Sequence, residues 1–146
     1  MSEVPNGKPP TSYWIIAGIF LLWNFIGLMI YYNQVTMAPD VIADNFSLAQ
    51  QAFLEDMPLW ATSAYAIAVT AGVIASLLLL VRMALALPVF IVSFAGVLVQ
   101  DLNSFVLSDG LGVWGSSALY LPTLVIVICV VEIWYARSAK VKGWLS

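Results

Sequence analysis

The chain has 146 residues, of which 62% are hydrophobic and 9% charged, with a formal net charge of −3 and a mean hydropathy of +0.97. A water-soluble domain carries about 25% charged residues. Five basic and eight acidic side chains are too few to cover a globular surface. The composition excludes a soluble enzyme, a nucleic-acid-binding protein and a disordered tail, and it indicates a protein built for a lipid bilayer.

The cysteine and histidine content restricts the chemistry further. There is no histidine and only one cysteine, Cys129. This excludes an internal disulfide, a histidine-ligated haem and zinc sites built from histidine and cysteine. The sequence also lacks a glycine-rich phosphate-binding loop. We therefore expect no cofactor, no metal and no enzymatic activity.

In chain order, residues 1–12 come first, and their three prolines and one glycine predict a flexible tail. Residues 13–32 follow as an apolar run of the length that crosses a bilayer, about 20 residues. The run contains one strongly polar residue, Asn24. It is longer than a signal-peptide core of roughly 7–15 residues, so we expect it to be retained as a membrane span.

The long connection of residues 33–58 carries signals for a short helix. Ser47 followed by Gln50 has the form of a capping box, and Pro58 ends the segment. An apolar stripe at helical spacing predicts an amphipathic helix that rests on the rim of the bundle. The alternative is an acidic lid or partner-docking surface, built on Asp40, Asp44, Glu55 and Asp56.

Three more apolar runs follow, at about residues 59–81, 83–107 and 114–136. Backbone groups cannot remain unpaired in lipid, so these runs are expected to be helices. The predicted fold is an all-α antiparallel four-helix transmembrane bundle over residues 13–136, followed by a basic tail of residues 137–146.

The basic residues predict the orientation of the bundle in the membrane. All five fall on one side of a four-pass chain: Lys8, Arg82, Arg137, Lys140 and Lys142. The loops on the other side contain acidic residues but no lysine or arginine. By the positive-inside rule, both termini are expected in the cytoplasm.

Small residues recur on one face of each predicted span. Such stripes allow helices to approach closely in a membrane. The positions expected to pack in this way are Gly27, Ala64, Ala68, Gly72, Ser76 and Gly96.

Polar residues within the spans are candidates for function, because they are unfavourable in lipid. A helical rise of about 1.5 Å per residue places Asn24, Thr70 and Ser93 at a similar depth near the middle of the bilayer. This layer is interpreted as an interhelical hydrogen bond, and the alternative is a polar ring that binds substrate. Gln100, Asp101 and Asn103 form a second cluster near the outer end of the third span.

The second cluster predicts a small outward-facing polar pocket, with Tyr31 or Tyr65 as a neighbour. Glu132 is the remaining ionisable group, and it lies close to the inner end of the fourth predicted span. We expect it to pair with Arg82 and hold the fourth helix against the central hairpin. The alternative is a proton-coupling carboxylate of the kind found in transporters.

Several stretches resemble a family of small four-span bacterial inner-membrane proteins that are often loosely labelled sugar transporters. The stretches are Leu21–Gly27, Pro58–Arg82, Leu87–Gln100, Leu107–Gly110 and Tyr135–Arg137. The resemblance implies the topology and a bacterial inner membrane, but no binding residues. The chain does not resemble the small multidrug transporters, because its first span carries Asn24 in place of their membrane glutamate.

The sequence predicts a non-enzymatic accessory or assembly component that acts through lateral helix contacts. Its expected partners are the lipid bilayer and another membrane protein or a second copy of the chain, with no nucleic acid. The alternative is a small oligomeric transporter of a polar, sugar-like solute, with Asn24, Gln100 and Glu132 lining the path.

Overall fold

A computed structural model describes residues 7–146. Within this range the chain is helical and contains no β-strand, which confirms the predicted all-α four-helix bundle. Part of the predicted flexible tail, residues 1–6, lies outside the described residues. The helices are α1 (Thr11–Thr36), α2 (Pro39–Asn45), α3 (Leu48–Glu55), α4 (Leu59–Leu80), α5 (Ala86–Leu102), α6 (Gly110–Trp114) and α7 (Tyr120–Val141).

Four helical segments are long and apolar enough to cross a membrane. The third is α5 continued by a π-helical turn at Asn103–Leu107, and the fourth is α7 preceded by a 3₁₀ turn at Ser116–Leu119. Large apolar side chains are exposed along all four segments, as expected for helices that face lipid. The chain is an integral, multi-pass membrane protein.

Two helices extend past their predicted ends. α1 continues to Thr36, four residues past the expected end. α7 continues to Val141, five residues past the expected end, so Arg137 and Lys140 lie within the helix rather than in a tail. Apolar length alone misses such extensions, because the last turns of these helices carry polar residues.

The α4–α5 hairpin is the structural centre of the bundle. α4 packs between α1 and α5, and α5 packs against α7. A Cβ atom on Gly96 would lie 2.8 Å from the Ala64 carbonyl oxygen and 3.0 Å from the Ala68 Cβ. The absence of a side chain at Gly96 therefore brings the two helices into direct backbone contact.

The stripe expected on α4 faces the interior of the bundle. Its members Ala64, Ala68, Gly72 and Ser76 are all buried. On α1, Gly27 is half-buried, and a Cβ there would lie 3.8 Å from Val69 Cγ1. The small residues therefore line the interfaces of α4 with its two neighbours.

The end of the bundle that carries both chain termini is densely packed. This terminal end contains Tyr13, Phe20, Leu79 and Phe90, which are almost completely buried. The Tyr13 hydroxyl donates to the Leu79 carbonyl, and the Tyr13 and Trp144 rings meet edge to face at 5.7 Å. These contacts close the terminal end with aromatic side chains.

The last residues of the chain return to the α4–α5 turn. Arg82 adopts a left-handed backbone conformation (φ 62°) just after α4, and its Nε donates to the Trp144 carbonyl at 2.8 Å. Ser146 N donates to the Arg82 carbonyl at 2.9 Å, and Ala84 N donates to the Ser146 carbonyl at 2.8 Å. The predicted basic tail is therefore bound to the bundle.

The connection between α1 and α4 forms two short helices rather than one. Phe46 is extended and separates α2 from α3. Ser47 begins α3 with the expected capping box: Gln50 N donates to Ser47 Oγ at 3.2 Å, and Ser47 N donates to Gln50 Oε1 at 3.0 Å. The capping box begins a new helix after Ser47, and the segment is therefore divided in two.

The short helices lie across the loop end of the bundle, opposite the terminal end. Phe46 and Phe53 each contact the Trp114 ring edge to face, at centroid distances of 5.8 and 6.1 Å. α3 thus rests on α6 at the rim. The acidic residues of this connection, Asp40, Asp44, Glu55 and Asp56, are exposed.

Candidate functional site

A cavity of about 630 Å³ lies between the four spans on the loop-end side of the bundle, and α3 and α6 contribute to its wall. Most of its lining side chains are apolar. Its polar and aromatic lining residues are Trp23, Asn24, Gln34, Phe53, Tyr65, Ser93, Gln100, Asp101, Ser104, Phe105, Trp114 and Ser117.

Asn24 joins three helices at the inner limit of this cavity. Its Nδ2 donates to Glu132 Oε1 on α7 at 2.8 Å and to Ser76 Oγ on α4 at 3.1 Å. The same nitrogen lies 2.8 Å from the Phe20 carbonyl of its own helix. Ser76 Oγ in turn donates to the Gly72 carbonyl at 2.8 Å. An amide nitrogen has two hydrogens, so these three acceptors share them.

Glu132 is 1% exposed and lies in this network. The predicted ion pair with Arg82 is not formed, because Glu132 accepts from Asn24 while Arg82 donates to the Trp144 carbonyl. The error has a geometric cause. α7 ends nine residues after Glu132, at Val141, so the carboxyl lies about 14 Å from the helix end rather than about 6 Å.

Gly72, on α4, has no side chain and therefore leaves room for the Asn24 side chain of α1. A Cβ on Gly72 would lie 2.1 Å from Asn24 Oδ1 and 3.3 Å from Ser93 Oγ. Ser93 donates to the Ala68 carbonyl at 2.7 Å. Asn24 and Ser93 therefore both approach α4 at Gly72, and both line the cavity.

Thr70 does not join the layer expected of it, because its side chain is exposed on the outside of α4. The reason is helical rotation. Thr70 lies two residues from both Ala68 and Gly72, which is about 200° around an α-helix. A similar depth along the bilayer normal therefore does not place Thr70 on the same face as Asn24.

The three residues of the predicted polar cluster at the end of α5, Gln100, Asp101 and Asn103, do not all line the cavity. Gln100 and Asp101 line the cavity, and Gln100 Nε2 donates to Ser104 Oγ at 3.1 Å. Asn103 is buried but is not among the residues that line the cavity, and its carbonyl accepts from Ser108 N at 2.8 Å. Asp101 Oδ2 is buried without a hydrogen-bond partner among residues 7–146.

The expected tyrosine neighbours lie at the same end of the bundle. Tyr65 lines the cavity, and the Tyr31 ring stacks on it at a centroid distance of 5.0 Å. Sequence reasoning did not identify Trp114, Phe53 and Cys129 as lining residues. The Phe–Trp contacts between α3 and α6 join segments far apart in sequence, and no local pattern signals them.

The arrangement has the features of a pocket that can bind a small molecule. Within residues 7–146, no three side chains of the types that hold metals come together. The cavity presents an apolar volume lined by one carboxylate, three side-chain amides and several hydroxyl groups. Comparison of the chain with protein-family models, curated proteins and solved structures finds no match.

Proposed function

We propose that the protein binds a small, mainly apolar molecule within the bilayer and acts as a small transporter of it. The cavity carries this proposal. Its volume of about 630 Å³ lies within the range of ligand-binding pockets, roughly 300–1,000 Å³, and such pockets are mostly apolar with a few placed polar groups. A sugar-like solute fits this lining poorly, because many of its hydroxyl groups would lack partners.

The site is asymmetric along the bundle axis. The cavity lies towards the loop end, whereas aromatic side chains fill the terminal end. The Asn24–Glu132 hydrogen bond joins α1 and α7 between these regions, and the stacked Tyr13 and Tyr135 rings join the same two helices at the terminal end, at a centroid distance of 6.1 Å. Transport would require α1 and α7 to separate here. Glu132 would then act by holding these two helices together, not by lining the cavity.

We expect the loop end to face outward. All five basic residues lie before α1, in the α4–α5 turn or near the C-terminal end of α7, and these segments are at the terminal end of the bundle. The positive-inside rule then predicts that both termini are in the cytoplasm. The resemblance to small four-span bacterial proteins favours a bacterial inner membrane. The proposed cavity would therefore take its ligand from the outer leaflet or the outer aqueous phase.

Binding of a neutral fluorescent probe tests the proposal. N-phenyl-1-naphthylamine would be titrated into the purified protein in phosphatidylcholine nanodiscs, with empty nanodiscs subtracted. Val97→Trp, which adds a ring to the cavity wall, should weaken saturable binding about tenfold. Ile91→Trp, on the lipid-facing side of the same helix, should leave it unchanged. Binding that is no greater than in empty nanodiscs would overturn the proposal.

A second candidate is the accessory or assembly role expected from the sequence. A shallow apolar groove on the lipid-facing side of α4 and α5 includes the small residues Ser63, Ala95 and Gly96. Small residues of this kind allow a further transmembrane helix to pack closely. We propose a second copy of the chain as the occupant. Native mass spectrometry in mild detergent should then show a dimer that Ala95→Leu dissociates, while a monomeric wild-type protein would contradict it.

A further inference from the structure

Among residues 7–146, Asp101 carries the one buried side-chain oxygen or nitrogen atom that has no hydrogen-bond partner. It lines the cavity near the end of α5, and its Oδ2 is buried with no hydrogen-bond partner among the described residues. Glu132, the other carboxyl group within the spans, accepts from Asn24 and does not line the cavity. A buried acceptor without a donor is unfavourable and calls for a partner that the protein itself does not provide.

No basic side chain compensates for Asp101. The cavity lining contains no lysine or arginine, and the nearest basic residue along the chain precedes α5 at Arg82. Asp101 lies 15 residues beyond Ala86, the first residue of α5, which corresponds to about 22 Å along the helix. The basic residues therefore lie at the terminal end, and no lysine or arginine lines the cavity together with Asp101.

Aromatic rings in the same cavity are suited to a positively charged guest. Tyr65, Phe105 and Trp114 contribute to the wall that also includes Asp101. The faces of such rings attract cations, most strongly when water is excluded. A positive group here would gain both a carboxylate and aromatic partners.

We propose that the ligand of the cavity is a lipophilic monocation, in particular a protonated amine, whose N–H group donates to the Asp101 carboxylate while its apolar body fills the cavity. This proposal rests on the proposed binding function and specifies its ligand class. A neutral alcohol would also supply a donor to Asp101, but it lacks the Coulomb attraction. Charge-assisted hydrogen bonds are roughly twice as strong as neutral ones, so the structure favours the cation.

Two probes of the same shape test this inference: 4-phenylbutylammonium and 4-phenylbutan-1-ol. Calorimetric titrations would use the full chain in nanodiscs of zwitterionic phosphatidylcholine, with empty nanodiscs subtracted. The wild-type protein should bind the ammonium at least about tenfold more tightly than the alcohol. Asp101→Asn should remove this preference without weakening the alcohol, and Asp101→Glu should retain part of it. Asp44→Asn, an exposed carboxylate change outside the cavity, should behave as wild type.

The outcomes separate the two proposals. Equal affinity of both probes for the wild-type protein overturns the cation inference and leaves the binding function in place. Binding of neither probe overturns both. If Asp101→Asn weakens the alcohol as much as the ammonium, Asp101 supports the fold rather than the ligand, and the inference is wrong. Circular dichroism of each variant establishes that the helices remain folded.

Discussion

The Asn24–Glu132 hydrogen bond should couple α1 and α7 energetically. Asn24→Ala removes the side-chain donor to Glu132 and the contact with Ser76. Interhelical hydrogen bonds in membranes average about 0.6 kcal/mol and reach about 1.7 kcal/mol, and a carboxyl group left buried without its donor adds roughly 1–3 kcal/mol. We expect Asn24→Ala to lower the free energy of unfolding by about 2 kcal/mol.

The dependence of this loss on Glu132 is the informative quantity. Glu132→Leu removes one acceptor, but Asn24 Nδ2 keeps the Phe20 carbonyl and Ser76 Oγ as acceptors, so Glu132→Leu alone should cost less than Asn24→Ala. In the Glu132→Leu background no carboxyl group remains to be left unpaired. Asn24→Ala should then cost less than about 1 kcal/mol, which gives a coupling energy of about 1 kcal/mol or more.

A double-mutant cycle measures this coupling. Reversible unfolding in mixed micelles would be followed by circular dichroism for the wild-type protein, the two single variants and the double variant. Thr70→Ala is the matched control, because Thr70 is polar but exposed on the outside of α4, and it should change stability by less than about 0.5 kcal/mol. Effects of Asn24→Ala and Glu132→Leu that add within about 0.3 kcal/mol would refute the reasoning.

Three further predictions concern packing, capping and topology. Gly96→Ala should destabilise the bundle by about 1–3 kcal/mol in the same unfolding assay, because its Cβ would lie 2.8 Å from the Ala64 carbonyl oxygen; unchanged stability would contradict the backbone contact. Ser47→Ala should remove about 1 kcal/mol from α3 and raise its amide hydrogen exchange, whereas Ser47→Thr should largely retain protection. In a Cys129→Ser background, Lys140→Cys should resist a membrane-impermeant thiol reagent applied to intact cells; labelling without lysis would contradict cytoplasmic termini.

The four spans were predictable because the bilayer sets a requirement that each short stretch of sequence meets by itself. A helix must be apolar over about 20 residues to cross the hydrocarbon, and this requirement is local. The capping box was predictable for the same reason, since Ser47 and Gln50 are three residues apart. Span length and capping therefore appear directly in the sequence.

The partners of Glu132 and Arg82 were not predictable in this way. Glu132 meets Asn24 across a sequence separation of 108 residues, and Arg82 meets Trp144 across 62. Such pairings depend on the rotation of each helix about its axis and on the course of the final residues. The cavity follows from the same rotations, because several helices contribute to its wall.

The contact at Gly96 has a mechanical consequence. Two helices that pack this closely cannot shift along one another without first separating, so we expect the α4–α5 hairpin to move as one unit. α1 and α7 meet through long side chains instead, which can change rotamer while their backbones move apart. Opening of the cavity would therefore move α1 and α7 rather than the α4–α5 hairpin. A ligand would then enter the cavity laterally, in the plane of the bilayer.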